Sequence, residues 1–395
     1  MKRSWILPIL VPSIATVITS VLCLLAVEAA VRIVEPKKVL REDFERGDPV
    51  FHHRFVPNAS GSYKSLEFNP SYSINAIGLR DREISWNKPE GTKRVLLLGD
   101  SFTEGNGVEA EDAFPARLQA LVDAANLSTR WEVINAGEGS YSPLLEYLLL
   151  KKQLVDLEPD LVILNLDLSD AYDDIQYTKL VTFDASGEPM AVPAEPERKP
   201  GPWYVEAIYS LKDFLKDHTR LYNLFRRHVA PLLTARPDAS GDIRVDKYAM
   251  IRDGYDPKDG RDWSLTFGYI ERIRDVLRVR GVPLWLTVYP YAHQVSPREW
   301  NEGRVFWSFK QNRVYTTAPQ KQVEEFGRSK GIPVINMTDD FLERSKKEFP
   351  LYFAYDGHFL PAGHTVAAKA IFRELLPFLR EAKAPIARAA GPPGN

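Results

Sequence analysis

Short apolar runs alternate with amphipathic stretches along most of the chain. Five runs rich in Val, Ile and Leu are typical of strands buried on both faces of a parallel sheet. These are Arg94–Gly99, Trp131–Asn135, Leu161–Leu168, Val282–Tyr289 and Ile332–Asn336. Helices are predicted over Phe114–Ala125, Leu144–Leu157, Phe267–Arg280, Gln320–Ser329 and Gly363–Arg380. The alternation predicts an α/β fold with a doubly wound five-stranded parallel sheet of strand order 2-1-3-4-5.

Several segments depart from this alternation. Residues 36–90 form a loop-rich, extended approach to the main domain, which we place at 91–382, and residues 383–395 form a disordered tail. Between strands three and four lies an insertion, 175–265, with a predicted hairpin around Ser186-Gly187 and a helical stretch over Trp203–Val229. We expect the insertion to be a lid beside the functional edge of the sheet. A structural elaboration far from that edge is the alternative.

The N-terminal segment, 1–35, contains an uncharged run from Trp5 to Val27. At about 1.5 Å per residue, a helix of this length spans the roughly 30 Å hydrocarbon layer of a bilayer. We expect a short cytoplasmic tip and one retained membrane-spanning helix. A cleaved signal peptide and a buried core helix are the alternatives. Basic residues flank the run on both sides, so the positive-inside rule does not decide orientation. The minimal N-terminal tail favours a domain outside the cytoplasm.

Composition excludes several classes of protein. The chain has 395 residues, is 44% hydrophobic and 26% charged, and carries a formal net charge of −2. This balance gives no reason to expect a nucleic-acid partner. Cys23 is the single cysteine, which excludes an intrachain disulfide and a cysteine-based metal site. No cofactor and no oligomeric state are predicted.

The first apolar strand stops abruptly at "GDSFTEG", which places Ser101 directly after it. Open α/β sheets bind their ligands at the carboxyl ends of the strands. A serine hydroxyl is a poor nucleophile unless a base takes its proton and donors stabilise the oxyanion. Ser101 is therefore a candidate nucleophile that requires two further groups.

A candidate base lies in "YDGHFLPAGH", beyond the last predicted strand. Asp356 can orient the imidazole of His358 while the other ring nitrogen faces the serine, which is the logic of a Ser-His-Asp triad. His364 is the competing base, although it is placed at a helix start where a ring more naturally packs or caps.

These blocks resemble the SGNH (GDSL-type) hydrolases over roughly residues 93–170 and 282–380. The resemblance implies a flavodoxin-like three-layer α/β/α sandwich, with Ser101 as nucleophile and backbone oxyanion donor and Asp356 and His358 as its partners. The family more often spaces the last pair as Asp-x-x-His, whereas this chain has Asp-x-His.

The middle blocks of the family match less closely. In "INAGEGSYSP" Ser140 takes the place of the family's oxyanion glycine, and Gly139 precedes it. In "LDLSD" Ser169 stands where the family has an oxyanion asparagine, while Asp170 matches; Gly139 and Asp170 are weaker candidates for substrate binding. A serine hydroxyl can donate, with shorter reach. Asn165 is a weaker substitute donor.

Further side chains follow the third and fourth strands. Tyr291, His293 and Gln294 are candidate substrate contacts, and shaping a loop is the alternative. Asp173 and Asp174 suggest a metal, but without more ligands at defined spacing they indicate a solvated turn or loop hydrogen bonds. No metal site is predicted.

Together these features predict a serine-dependent ester hydrolase or O-acyltransferase. Its expected substrates are acyl, especially acetyl, esters of extracytoplasmic glycans or an acylated small molecule. The glycan expectation rests on the resemblance to membrane-anchored enzymes of surface polysaccharides. Because the family asparagine is missing, the alternative is a catalytically weak carbohydrate-binding or assembly protein.

Overall fold

A computed structural model of the chain describes residues 7–34, 41, 44–194, 201–219, 221–222, 248–255 and 262–381. The chain divides into two compact units. One consists of Met1–Lys38 and Glu197–Asp242, and the other of Val39–Pro196 and Ile243–Asn395. The tail at 383–395 and most of the predicted helical stretch beyond His218 lie outside the described residues.

The elements are numbered in chain order. The first half contains α1 (Leu7–Val34), β1 (Glu45–Asp48), β2 (His52–Phe55), β3 (Ser60–Ser62), β4 (Ser71–Ser73), β5 (Thr92–Gly99), α2 (Ser101–Glu104), α3 (Phe114–Ala124), β6 (Arg130–Gly137), α4 (Pro143–Lys152), β7 (Leu161–Leu166), α5 (Asp170–Thr178), β8 (Thr182–Phe183) and β9 (Pro189–Ala191). The second half contains α6 (Trp203–His218), α7 (Ser264–Arg278), β10 (Leu284–Val288), α8 (Ala292–Val295), α9 (Ala318–Lys330), β11 (Val334–Asn336), α10 (Thr338–Ser345) and α11 (Pro361–Glu381).

The larger unit is built on one five-stranded parallel sheet with the order β11-β10-β7-β5-β6. In the numbering of the predicted strands this is the order 2-1-3-4-5 counted from the other edge, so the predicted α/β architecture and strand order are confirmed. Val95 to Leu98 of β5 are fully buried, as the apolar run requires. All five carboxyl ends lie at one edge because the strands are parallel.

Helices cover both faces of this sheet. The crossover from β5 to β6 through α3 runs in one direction along the sheet, and the crossover from β6 to β7 through α4 runs in the other. Because such crossovers are right-handed, α3 and α4 lie on opposite faces. Contacts pair α3 with α11 and α4 with α7, which completes the two helical layers.

The approach segment is more ordered than the sequence predicts. It forms two antiparallel hairpins, β1–β2 and β3–β4. Phe44, Phe55, Tyr72 and Ile74 build a small hydrophobic core of their own beneath these hairpins. The extended chain is thus paired into hairpins over a core that the sequence did not indicate, because aromatic residues scattered along a polar stretch do not form a periodic pattern.

Two other predicted elements end elsewhere. The predicted helix Leu144–Leu157 breaks at Gln153, whose side chain accepts a hydrogen bond from Arg54 (2.7 Å) and donates to the Ile77 carbonyl (3.3 Å). The third strand stops at Leu166, because the Asp167 N–H turns to the Asp170 carboxylate (3.0 Å). The hairpin predicted around Ser186-Gly187 is confirmed as β8–β9.

The smaller unit contains α1 and α6 among its described residues. The Leu221 N–H donates to the Glu28 carboxylate (2.8 Å) within this unit. In the described ranges, no helix combines the length and apolar character that crossing a membrane requires. The membrane-spanning helix predicted over Trp5–Val27 is therefore not supported, and its first two residues lie outside those ranges.

Candidate active site

Ser101 is the first residue of α2, directly beyond the carboxyl end of β5. The turn is tight: a Cβ on Gly99 would lie 2.1 Å from Thr103 Oγ1, so only glycine fits there. The Asp100 carboxylate accepts the Phe102 N–H (3.0 Å) and caps α2. A buried strand followed by this capped turn fixes Ser101 at the carboxyl edge of the sheet, as the sequence predicts.

The loop before α11 brings His358 to this serine. Ser101 Oγ lies 2.7 Å from His358 Nε2. His358 Nδ1 hydrogen-bonds to the Asp356 carboxylate, which also accepts the His358 backbone N–H (3.2 Å). A carboxylate only accepts, so Nδ1 carries the proton and Nε2 is the acceptor that faces Ser101. The structure thus brings together the three residues that the two sequence blocks single out.

Asn106 also reaches the imidazole, with its Nδ2 3.3 Å from His358 Nδ1. Its Oδ1 is 3.4 Å from the Tyr72 hydroxyl, at the long end of a hydrogen bond. The shorter, charge-assisted contact with Asp356 is the stronger of the two on Nδ1. Sequence reasoning passed over Asn106, although it directly follows the serine block.

His364 occupies a different environment from His358. It is buried, its Nδ1 accepts the Phe114 N–H (3.1 Å), and its ring stacks on Phe114. Burial lowers the pKa of His364 well below its usual range, and nearby Arg117 acts in the same direction. These contacts give His364 a packing role at the start of α11, in agreement with the preferred sequence interpretation.

The predicted oxyanion residues lie together at the site. Ser140 and Ser169 both line the pocket that contains Ser101 and His358. Ser140 has a left-handed backbone with φ 62°, and the Ser169 N–H donates to the Asp167 carboxylate. The Ser169 hydroxyl therefore remains as the donor that this residue can offer to substrate.

Gly139 and Asn165 are held by structural contacts instead. The Gly139 carbonyl hydrogen-bonds to His53 Nε2 (2.6 Å), and a Cβ on this glycine would lie 2.3 Å from the Arg41 guanidinium. The Asn165 amide donates to Thr103 Oγ1 (2.9 Å) and accepts from Thr287 Oγ1 (2.5 Å). Asn165 is thus committed inside the sheet, and Gly139 is required for close packing. Neither lines the pocket.

The pocket has a volume of about 270 Å³. One wall carries the serine, the histidine and the oxyanion candidates. The other is aromatic, with Tyr248, Tyr291, Trp300 and Trp307. Tyr248 belongs to the 175–265 insertion, so part of the insertion does reach the site. Trp307 is 41% exposed and lies at the open side of the pocket.

The three candidate substrate contacts after the fourth strand have different roles. Tyr291 lines the pocket, but its hydroxyl donates to Asp167 (2.6 Å). His293 also lines the pocket and lies among aromatic rings. Burial, with Arg304 and Arg252 nearby, lowers its pKa well below the usual range. Gln294 does not line the pocket. It accepts the Tyr291 N–H (2.7 Å) and a hydrogen bond from Gln320 Nε2 (2.9 Å), so these contacts hold it within the loop and the structure does not bring it to the pocket.

Buried carboxyl groups lie directly behind Ser101. Burial raises the pKa of Asp100 well above its usual range, and the neighbouring Asp167 raises it further. The same two causes act on Asp170, which accepts the Asp167 N–H and is 1% exposed. Asp170 therefore shapes the turn behind Ser101, and it does not line the pocket.

The metal alternative finds no support among the described residues, where no group of three His, Cys, Asp or Glu side chains could hold an ion. Asp174 is instead a hydrogen-bonding hub that accepts from Thr266 Oγ1 (2.6 Å), Ser142 Oγ (2.7 Å) and the Leu144 N–H (3.0 Å). Asp173 lines the pocket.

The approach segment supplies contacts that sequence reasoning missed. Arg41 donates two hydrogen bonds (3.0 and 2.8 Å) to the fully buried Glu104, and the Tyr72 hydroxyl adds a third (2.8 Å). Glu104 lies three residues after Ser101. The sequence offered one signal of this contact: a buried glutamate so close to Ser101 needs a partner of opposite charge from elsewhere in the chain.

No family model and no curated protein sequence matches the chain. Solved structures show distant similarity. An acetylxylan esterase from Geobacillus stearothermophilus is 12% identical (73% of this chain, 96% of that chain, TM-score 0.39). A two-domain esterase active on acetylated mannans is 13% identical (76% and 53%, 0.37). A GDSL-like lipase from Bacteroides thetaiotaomicron is 13% identical (72% and 89%, 0.33). The roles proposed below rest on the side chains of this chain.

We expect Ser169→Ala to lower kcat for a small acyl ester by about tenfold to a thousandfold, because one hydroxyl donor to the oxyanion is lost. Ser169→Asn should retain activity or increase it, since the amide reaches further. Steady-state kinetics of both variants measure the effect. If Ser169→Ala has the same kcat as wild type, Ser169 does not belong to the oxyanion hole and backbone N–H groups are the donors.

Glu138 gives the protein a pH-dependent stability. Burial raises its pKa from 4.5 to about 8, and Arg54 (3.2 Å) offsets only part of that shift. Between these pH values the folded protein keeps a proton on Glu138 that the unfolded chain releases. The protonated carboxyl therefore contributes stability that is fully present below pH 4.5 and is lost as pH rises towards 8. We expect Glu138→Gln to be more stable relative to wild type at pH 9 than at pH 5 in urea unfolding. An equal difference at both pH values would contradict this.

Proposed function

We propose that this protein is a serine-dependent enzyme of the SGNH type that hydrolyses or transfers acyl esters. The observation that carries the proposal is the 2.7 Å contact between Ser101 Oγ and His358 Nε2, with Asp356 on the other ring nitrogen. A nucleophile, its base and the group that orients the base are thus joined by hydrogen bonds at the carboxyl edge of the sheet.

The chemistry follows from this order. His358 Nε2 takes the Ser101 proton as Oγ attacks the ester carbonyl, and Asp356 stabilises the imidazolium that forms. The backbone N–H groups of Ser101 and Ser140 and the Ser169 hydroxyl are the proposed donors to the oxyanion. His358 then returns its proton to the leaving alcohol, which leaves an acyl group on Ser101 Oγ.

Release of the acyl group follows the same pattern, with water or an acceptor hydroxyl as the attacking group and Ser101 Oγ as the leaving group. His358 takes a proton from water in hydrolysis, or from an acceptor hydroxyl in transfer, as that oxygen attacks the acyl carbonyl. Ser101 Oγ leaves and recovers the proton from His358. The same side chains serve both reactions, so both belong to the proposal.

The proposed substrates are acyl, especially acetyl, esters of glycans. A pocket of about 270 Å³ accommodates a small acyl group together with the part of the sugar that carries it. Trp307 in its wall is 41% exposed and offers a flat apolar face of the kind that packs against sugar C–H groups.

The experiment that tests the proposal is labelling by a fluorophosphonate probe, with Ser101→Ala as the control. We expect the wild-type protein to be labelled and to release acetate from acetylated xylan or mannan, and the variant to do neither. Binding of these glycans without labelling or turnover would instead favour the carbohydrate-binding alternative, which the absent oxyanion asparagine motivates. Equal labelling of both proteins would refute the role of Ser101.

We further propose that the domain works outside the cytoplasm and that its N-terminal segment retains it at the membrane. The uncharged sequence from Trp5 to Val27 motivates this location. Protease added to intact spheroplasts should digest the domain. Full protection in spheroplasts, with digestion after lysis, would contradict the proposed location and leave the ester chemistry untouched.

A further inference from the structure

The loop that carries Asp356 is held by a carboxylate from a remote part of the chain. Glu67 lies between β3 and β4, and its side chain accepts three successive backbone N–H groups of this loop. They are those of Ala354 (2.7 Å), Tyr355 (3.0 Å) and Asp356 (2.7 Å). Hydrogen bonds to an ionised acceptor are roughly twice as strong as neutral ones, and here one side chain makes three.

The opposite side of the loop is fixed through its carbonyl groups. Trp300 Nε1 donates to the Tyr355 carbonyl (2.8 Å), and the Gly303 N–H donates to the Ala354 carbonyl (2.9 Å). The Trp300 ring also lies close under the loop, since a Cβ on Gly357 would be 3.0 Å from it. Glu67 and Trp300 therefore hold residues 354–357 in place from opposite sides.

Glu67 is itself held in place. The Ser65 hydroxyl accepts the Glu67 N–H (3.1 Å), and Phe68 packs on Phe353 with ring centroids 5.1 Å apart. Phe353 directly precedes the gripped loop. The turn that bears Glu67 is thus packed against the same loop that its carboxylate binds.

We propose that Glu67 is a positioning residue for catalysis, which sets the backbone of residues 354–356 so that the Asp356 carboxylate meets His358 Nδ1. The inference rests on the proposed function. Glu67 accepts the backbone N–H of Asp356, whose carboxylate hydrogen-bonds to His358 Nδ1, so the position of this backbone bears directly on that contact. A displacement of about 1 Å in a catalytic group can cost about a hundredfold in rate.

Glu67→Gln is the informative variant, because it keeps the size of the side chain and removes its charge and one acceptor oxygen. We expect kcat to fall about tenfold with KM changed less than twofold, since the loop carries the aspartate that orients His358 rather than the aromatic wall of the pocket. Glu109→Gln is the matched control. Its carboxylate likewise binds a backbone N–H, that of Ser71 (3.0 Å), away from this loop. It should leave kcat unchanged.

A double-mutant cycle separates positioning from general destabilisation. If Glu67 acts through Asp356, Glu67→Gln should cause almost no further loss of fluorophosphonate labelling rate in an Asp356→Asn background. A loss of the same size in both backgrounds, or near-native kcat of Glu67→Gln, would overturn the inference. Thermal unfolding shows that the compared variants are folded. If Ser101→Ala is as active as wild type, the proposed function fails instead.

Discussion

Replacing His358 with alanine is expected to abolish measurable turnover and probe labelling while the protein remains folded. Among the described residues the imidazole makes the short contact with Ser101 Oγ (2.7 Å), whereas the Asp100 carboxylate lies 3.4 Å away and caps α2 through the Phe102 N–H. Loss of a base that activates a nucleophile costs on the order of 10⁴ or more in kcat. Steady-state hydrolysis of a chromogenic acyl ester, with circular dichroism as the check on folding, measures the loss.

His364→Ala is the matched control for this prediction. The His364 ring is buried against Phe114 and Phe359, so its removal leaves a cavity and frees the Phe114 N–H. We expect a lower Tm but near-native kcat per folded molecule at a temperature below unfolding. The assignment is refuted if His358→Ala is folded and active, and the base is reassigned if His364→Ala is the folded, inactive variant.

Asp356→Asn is expected to lower kcat by about 10²–10⁴, with little change in KM. An amide can present its NH₂ group to His358 Nδ1 and so favour the wrong tautomer, in which Nε2 carries the proton and cannot accept one from Ser101. The amide also lacks the negative charge that stabilises the imidazolium. Kinetics on the same chromogenic ester, together with the labelling rate of Ser101, measure the effect.

Asp253→Asn provides the control for removal of an aspartate charge. Asp253 pairs with Arg313 (2.6 Å) at an exposed position. We expect this variant to behave as wild type, since exposed ion pairs contribute little. Near-native kcat of folded Asp356→Asn would show that Asp356 does not orient His358.

The sheet could be predicted because each of its strands is recognisable from its own residues. Each buried parallel strand must be apolar on both faces, so five runs such as Val95–Leu98 were visible without any knowledge of their neighbours. Their connection through helices restricts them to few topologies. The approach segment could not be predicted in this way, because the core formed by Phe44, Phe55 and Tyr72 depends on contacts between separate hairpins.

By itself, the sequence determined the α/β architecture, the strand order and the two blocks that carry Ser101, Asp356 and His358. A strand that ends in a tight turn and a loop that holds an acid beside an imidazole are both short-range features, and the parallel sheet brings their elements to one edge. Only the tertiary structure decided which neighbours serve the site. Gln294 and Asn165 form hydrogen bonds to side chains of other elements and so do not line the pocket. Glu67, in contrast, binds a loop that is 287 to 289 residues away in the sequence. The reason is physical: a polar side chain acts on whatever folding places within about 3 Å of it, and that partner leaves no pattern in the residues around it.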